Sequence, residues 1–107
     1  MRVQDVQADE FKEILEKSEV PVVVDFWAAW CAPCRVLSPM LERAADDWGD
    51  KARVLKVNAD ENPELAAEYG IMGLPTVLVL KHGKEVARIV GVRPENILRQ
   101  EIERHFD

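Results

Sequence analysis

The chain has 107 residues, of which 48% are hydrophobic and 32% charged, and its formal net charge is −6. These values predict a single folded domain over residues 1–107 with a modest core. The acidic balance argues against non-specific binding to nucleic acid or anionic membranes, which requires a basic surface. No apolar run is long enough to span a bilayer, and Met1 to Asp5 contains no secretory apolar region. We therefore expect a cytoplasmic protein, although a mature chain that had lost its signal peptide would look the same.

The N-terminal half alternates between helical and strand-like patterns. Apolar residues at helical spacing between positions 9 and 15 predict a first helix. The continuous apolar run from Val20 to Ala28 is typical of a strand covered on both faces. From Pro33 to Trp48 the helical period returns, with Pro33 suited to the first helical position and Gly49 to the residue after the end. Pro39 lies inside this helix and predicts a kink.

The C-terminal half continues the alternation and ends with a hairpin and a helix. Helices between strands predict parallel crossovers, and the hairpin predicts an antiparallel edge. We therefore expect an α/β fold of order β-α-β-α-β-α-β-β-α, with a mixed central sheet of about five strands flanked by about four helices. The predicted elements are a strand at Arg53–Ala59, a short helix from Asn62 to Gly70, strands at Thr76–Leu80 and Val86–Val90 around a turn at His82-Gly83, and a helix from Pro94 to Phe106.

The two cysteines, Cys31 and Cys34, lie at the start of the second predicted helix. As a structural staple the pair is poor, because closing about four residues stabilises by roughly 2 kcal/mol, against ~4.7 kcal/mol for a 100-residue loop. As a zinc site it has only His82 and His105 as further soft ligands, at a spacing that matches no common zinc finger. Haem attachment is excluded because Arg35, not histidine, follows Cys34. Reversible redox exchange is the interpretation that remains.

The start of a helix assigns different roles to the two sulfurs. Free backbone N–H groups and the positive end of the helix dipole stabilise a thiolate there. Cys31 precedes the helix, so we expect it to be the exposed nucleophile with a low pKa. Cys34 lies one turn in, so we expect it to be more buried and to act as the resolving thiol. Pro33 between them removes one N–H and stiffens the loop.

Asp25 lies inside the most apolar strand of the chain. If it is buried, desolvation should raise its pKa into a range useful for exchanging a proton with Cys34. The alternative is an acid at a strand end that reaches water. Lys56 in the neighbouring strand could pair with Asp25, or could extend along the strand edge into solvent.

Two further positions are open to more than one interpretation. Trp30, beside Cys31, is either a contact surface for substrates or a partly buried packing residue. Pro75 precedes a core strand, and because only ~5–6% of X–Pro bonds in folded proteins are cis, the residues alone leave its isomer undecided.

Taken together, these residues closely resemble the thioredoxin family, over nearly the whole chain from about Asp9 to Phe106. The resemblance is far more specific than the cysteine pair alone. The matching stretches are 24–35 (VDFWAAWCAPCR), 56–60 (KVNAD), 69–71 (YGI), 72–76 (MGLPT), 81–83 (KHG) and 90–91 (VG).

The resemblance implies the thioredoxin fold, a cis Pro75 facing the cysteine pair, and tuning of proton transfer at Cys34 by Asp25 and Lys56. It also implies a shallow apolar groove for an extended substrate segment. The groove residues carried over are Trp30, Ala32, Pro33, Gly73, Leu74, Pro75, Gly91 and Val92.

The partners implied are thioredoxin reductase, an NADPH-dependent flavoprotein, upstream, and ribonucleotide reductase, peroxiredoxins and methionine sulfoxide reductases downstream. The chain is expected to act as a monomer without a bound cofactor, metal or nucleic acid. Two residues depart from the family pattern, since most thioredoxins carry Gly where Ala32 stands and Lys where Arg35 stands. These substitutions bear on the redox potential and on the choice of reductase.

The expected function is therefore that of a general protein-disulfide reductase and electron carrier, supporting cell redox homeostasis. Two alternatives stay open. Such a domain can serve as a non-catalytic binding module that uses the same apolar rim, or as a dithiol oxidant in an oxidising compartment.

Overall fold

The computed structural model describes residues 2–107. In this part of the chain one five-stranded sheet has the order β1-β3-β2-β4-β5, and four α-helices flank it. The α/β class and the mixed sheet expected from the sequence are confirmed. The elements are β1 (Val3–Asp5), α1 (Ala8–Lys17), β2 (Val22–Trp27), α2 (Ala32–Trp48), β3 (Arg53–Asn58), α3 (Pro63–Glu68), β4 (Thr76–Lys81), β5 (Lys84–Val90) and α4 (Glu95–Glu103).

Strand β2 lies at the centre of the sheet because its apolar run can be covered on both faces. It pairs in parallel with β3 on one side and antiparallel with β4 on the other. Five of its six residues are buried. A charged residue within this strand therefore has no route to water along the sheet.

The connection from β3 to β4 is not a parallel crossover, and that expectation is wrong. β3 runs parallel to β2, whereas β4 runs antiparallel to it. Helix α3 has six residues, which gives about 9 Å of length, whereas a strand of six residues spans about 20 Å. Because the helix is too short to return the chain to the far end of the sheet, β4 begins near the end of β3.

Two large clusters of buried residues cover the two faces of the sheet, and a third, small one contains Ala28 and the two cysteines. Residues of α2 and α4 pack on the face that carries Val23, and residues of α1 and α3 pack on the face that carries Val22 and Val24. Since side chains alternate along a strand, Asp25 shares the face of Val23. The sequence period of β2 thus places this carboxyl group under helix α2.

Three details of the elements differ from or sharpen the prediction. Helix α2 begins at Ala32, one residue earlier than expected, so Pro33 takes the second helical position. Helix α4 ends at Glu103, and Phe106 packs beyond it with its ring centroid 5.1 Å from that of Trp48. The kink predicted at Pro39 stays a prediction.

The remaining sequence signals act locally. The turn between β4 and β5 has positive φ at both central residues, His82 and Gly83, as the tight turn of a two-residue hairpin requires. Gly49 follows α2 with a φ of 56°. Within residues 2–107 the helices are all too short or too polar to cross a membrane.

Candidate active site

Cys31 and Cys34 are joined by a disulfide at the beginning of α2, with their Cα atoms 5.3 Å apart. Cys31 is the residue before the helix, and its Sγ accepts a hydrogen bond from the backbone N–H of Cys34 at 3.2 Å. Its own N–H donates to the carbonyl of Ala28 at 3.1 Å. One free N–H of the first turn is thus directed at the Cys31 sulfur, which is an arrangement that stabilises a thiolate.

The expected burial of Cys34 is confirmed, whereas the expected exposure of Cys31 is wrong for the disulfide form. The two residues are 3% and 2% exposed. The position before the helix folds the Cys31 sulfur back over the first turn, and Trp27, Ala28 and Leu74 pack against the pair. The neighbours Ala32 and Pro33 are exposed, so the pair lies directly beneath the surface.

Asp25 is completely buried beneath α2, which excludes the alternative of an acid that reaches water. Burial disfavours the charged form and raises the pKa of Asp25 from an ordinary 3.8 to about 7. The charge of Lys56 and a hydrogen bond from Ser38 oppose this rise, and the charge of Asp5 adds to it. The result is a carboxyl group that changes protonation near neutral pH, under the helix that carries Cys34.

Lys56 is the neighbour of Asp25 across the β2–β3 pair. Its ammonium group lies 4.7 Å from the ring centroid of Trp27, so it contacts the aromatic face rather than the carboxylate. The side chain is half-buried. The predicted pairing of Lys56 with Asp25 is therefore an interaction through charge and not a hydrogen-bonded ion pair.

An open cleft of about 280 Å³ lies between α2 and the sheet on the side of Cys34. It extends from the cysteine to Lys56, and two residues that sequence reasoning missed, Ser38 and Glu42, lie along it. Their spacing in the sequence could have identified them, because they follow Cys34 at intervals of four and share its helix face. The lining residues are Trp27, Ala28, Ala29, Cys34, Arg35, Ser38, Pro39, Glu42 and Lys56.

Three exposed apolar residues lie next to the cysteine pair in the chain or next to the Gly73–Leu74 segment, of which Leu74 packs on that pair. Trp30 is 69% exposed, Met72 99% and Val90 52%. The indole Nε1 of Trp30 donates to Asp60 Oδ2 at 2.9 Å, which holds the ring in the open position. Trp30 is therefore a surface residue rather than a packing residue, while Met72 and Val90 are further apolar residues that the site prediction omitted.

The loop before β4 connects the disulfide to β5. The Leu74–Pro75 peptide bond is cis, as the resemblance implied. Leu74 packs against the cysteine pair, and the carbonyl of Pro75 accepts from the N–H of Gly91 at 2.9 Å. Gly73 lies beside Val90, whose Cγ1 would be 3.4 Å from a Cβ added to the glycine. The predicted groove residues of this loop and of Gly91 are thus brought together.

The other predicted groove residues differ in exposure. Val92 is half-buried and packs against the core cluster beneath α2 and α4. Arg35 is exposed, and its Nη1 donates to the carbonyl of Ala29 at 2.9 Å, so its positive charge lies beside the loop that leads into Cys31. Within residues 2–107, no cluster of three or more His, Cys, Asp or Glu side chains is arranged to hold a metal ion.

The site thus combines a disulfide at the start of α2, a buried carboxyl group under that helix, and a cis Leu74–Pro75 bond whose Leu74 packs on the cysteine pair. Comparison with known proteins shows which family has this combination. The thioredoxin family model matches residues 2–104. The chain belongs to the thioredoxin family. It is 48% identical over 94 residues to a thioredoxin of Chlorobaculum thiosulfatiphilum, covering 88% of this chain and 86% of that protein.

Further relatives support the same membership. Thioredoxin 1 of a Nostoc species is 45% identical over 96 residues and covers 90% of each protein. The solved structure of a mutant thioredoxin from Halobacterium salinarum superposes with a TM-score of 0.89 at 34% identity, covering 99% of this chain and 92% of that one. As a thioredoxin with a disulfide between its two cysteines, the chain is a thiol-disulfide oxidoreductase that reduces protein disulfides.

Proposed function

We propose that Cys31 is the nucleophile and Cys34 the resolving thiol of this oxidoreductase. The Cys31 thiolate attacks one sulfur of a target disulfide, so that a Cys31–target bond forms and the other target sulfur leaves as a thiolate. Cys34 loses its proton and attacks Cys31, so that the intramolecular disulfide forms and the second target sulfur is released. Two electrons pass from this chain to the target, and an NADPH-dependent thioredoxin reductase restores the dithiol.

The single observation that carries this assignment is the hydrogen bond from the Cys34 N–H to the Cys31 sulfur, at the amino end of a 17-residue helix. A negative charge on Cys31 is stabilised there by a backbone donor and by the helix dipole. The sulfur of Cys34 lies inside the first turn and lacks that position. The asymmetry therefore favours Cys31 as the sulfur that is ionised first.

The resolving step also requires a proton acceptor, and Asp25 supports that role. Its carboxyl group lies under α2 with a pKa of about 7, so that near neutral pH both protonation states are populated. A base is most effective when its pKa is close to the working pH. Lys56 contributes by charge, since its ammonium group lowers the pKa of Asp25 against the effect of burial.

The apolar rim of Trp30, Met72 and Val90 is the proposed docking surface for substrates. An exposed apolar patch of this kind on a small acidic protein marks an interaction site. An extended target segment would lie across the cis-Pro75 loop and place its disulfide beside Cys31. The remaining groove residues of the proposal are Ala32, Pro33, Gly73, Leu74, Gly91 and Val92.

The specific partners and the compartment belong to the proposal as well. Ribonucleotide reductase, peroxiredoxins and methionine sulfoxide reductases carry or form disulfides of the kind that this chemistry reduces. We propose that the chain works in the cytoplasm as a monomeric electron carrier. Two of its relatives among thioredoxins are chloroplast proteins, so fractionation of cells from the source organism is the direct check of the compartment.

Insulin reduction in the presence of dithiothreitol tests the proposal. The chain should accelerate precipitation of the insulin B chain, and a variant in which both cysteines are serine should not. The absence of acceleration at any pH near neutral would overturn the proposal. A redox potential measured against the glutathione couple separates a reductase from an oxidant, because about 30 mV corresponds to roughly 1.4 kcal/mol for a two-electron couple.

A further inference from the structure

Helix α2 presents three polar or reactive side chains along the cleft beside the disulfide. Cys34, Ser38 and Glu42 are spaced by four residues, so they lie one above the other on the same helix face. All three line the cleft, and Lys56 lines it from the sheet. Ser38 is the member of this row that also contacts the buried carboxyl group of Asp25.

The two oxygens of Asp25 are in different surroundings. Oδ2 accepts a hydrogen bond from the Ser38 hydroxyl, whose Oγ is 3.4 Å away. Oδ1 is buried, and within residues 2–107 no donor reaches it. Because a buried oxygen without a partner is costly, the free position of Oδ1 is a specific feature of the site.

We propose that Ser38 is a positioning residue for proton transfer at the cysteine pair. Its hydroxyl group holds Oδ2 of Asp25, which leaves Oδ1 as the oxygen that takes a proton from Cys34 in the dithiol form. In that step the S–H bond of Cys34 breaks, an O–H bond forms on Asp25, and the electron pair stays on sulfur. The inference rests on the proposed role of Asp25 as the proton acceptor.

The charge on Asp25 is influenced by groups on β1, β3 and α2, whereas its neighbour on β4 is the apolar Val77. Lys56 on β3 favours the carboxylate and Asp5 on β1 opposes it. From α2, the Ser38 hydroxyl donates to the carboxylate, and the carboxylate of Glu42 lines the same cleft. A donor to the charged form stabilises that form, so loss of the Ser38 hydroxyl should favour the protonated acid.

The direct test is an NMR titration of the Asp25 carboxyl carbon in the oxidised protein. Ser38→Ala should raise the titration midpoint by about half a pH unit, since it removes one hydrogen bond to the charged form. Ser38→Thr keeps the hydroxyl group and should titrate close to the wild type. Ser18→Ala, which changes the only other serine of the chain, is the matched control and should have no effect. If Ser38→Ala leaves the titration midpoint of Asp25 unchanged, the inference is overturned.

The catalytic consequence is tested by the pH dependence of insulin reduction. A midpoint half a unit higher lowers the ionised fraction of Asp25 at pH 7 from about one half to about one quarter, so the rate should fall about twofold there. At pH 9 the carboxyl group is ionised in both proteins, and the rates should be equal. A purely structural role of Ser38 would lower the rate at all pH values, and this outcome would contradict the inference. Alanine favours helix, so the variant should fold.

Failure of this inference can be separated from failure of the proposed function by the Asp25→Asn variant. If the midpoint moves while the rate profile of Ser38→Ala stays that of the wild type, the positioning role is overturned. In that case, if the pH–rate profile of Asp25→Asn also matches the wild type, the role of Asp25 as proton acceptor is overturned as well. If the pH–rate profile of Asp25→Asn differs from the wild type while that of Ser38→Ala does not, only the role of Ser38 is overturned.

Discussion

The site has two regions, a floor beneath the cysteine pair and a rim on the surface, and their polarity is the reverse of what is usual for the interior and the surface of a protein. The floor, defined by Asp25, Ser38 and Lys56, is polar or charged and lies wholly or partly inside the protein. The rim, defined by Trp30, Met72 and Val90, is apolar and exposed. Ordinary folding places apolar groups inside and charges outside. Burial of the Asp25 carboxyl group costs free energy, and an exposed apolar side chain gains none from burial, so each region points to chemistry or binding.

The two regions also differ in how they respond to substitution. If the proposed function is right, a change in the floor should alter proton transfer at the reduced cysteine pair, and it should alter the stability of the fold because Asp25 is buried. A change in the rim should alter the proposed contact with large substrates and leave the core unaffected, because these side chains are exposed. In the proposed function the cysteine pair depends on both regions.

Removal of the cysteines should have the largest effect. Cys31→Ser should reduce insulin reduction to the uncatalysed rate, because no nucleophile remains. Cys34→Ser should trap targets as mixed disulfides with Cys31, which mass spectrometry under non-reducing conditions would detect. If Cys31→Ser trapped targets through Cys34 instead, the roles of the two sulfurs would be reversed.

Asp25→Asn tests the floor and should stabilise the protein while slowing the reaction. Burial raises the pKa of Asp25 from 3.8 to about 7, so that the folded state resists ionisation. The wild type therefore loses stability as the pH rises from about 4 to about 7 and keeps that loss above pH 7. About three pH units at 1.36 kcal/mol each give an upper bound of about 4 kcal/mol at pH 8. Urea unfolding at pH 4 and pH 8 measures the difference.

The control for this prediction is Asp46→Asn, which removes an exposed carboxylate on the same helix as the cysteines. Its effect on stability should be within about 0.5 kcal/mol at both pH values. Equal stabilisation by Asp46→Asn and Asp25→Asn at pH 8 would show that net charge, and not burial, is responsible.

Met72→Ser tests the rim. The side chain is almost fully exposed in the free protein, so stability should change by less than about 0.5 kcal/mol. If Met72 is partly buried by a docked protein, the loss should be about 1 kcal/mol of binding, which is a rise in KM of roughly fivefold. The kcat for a small disulfide should not change. Ile97→Ser on α4, another exposed apolar residue, should leave the KM for proteins unaltered.

Trp30→Phe should give the smallest effect, since it keeps a six-membered aromatic ring and loses the pyrrole ring together with its hydrogen bond to Asp60. Loss of one exposed hydrogen bond should weaken substrate binding by about 0.5 kcal/mol, or roughly twofold in KM. Asp60→Ala should have the same effect, and the double variant should be no worse than either single one. Additive losses would show that the two residues act independently.

The sequence predicted most of the fold because its signals are local. The period of apolar residues gave the helices and strands to within a few positions, and the cysteine spacing at a helix start gave the redox site. The burial of Asp25 followed from the apolar residues on both sides of it. Each of these inferences needs only neighbours along the chain.

Other features depended on residues that are distant in the chain. The direction of β4 could not be predicted, because the short helix α3 and the loop that follows it together decide where the strand begins. The burial of Cys31 depends on Leu74, which lies 43 residues away. Ser38 gained its contact with Asp25 only when α2 packed on β2.

The amino-acid sequence by itself thus determined the class of fold, the pair of reacting sulfurs and the unusual acid beneath them, since spacing and hydrophobic period act over a few residues. The tertiary structure decided which side chains close over the disulfide, which oxygen of Asp25 is held and which apolar residues remain exposed. These properties arise when separate elements pack together, and packing depends on side chains from segments that are distant in the chain.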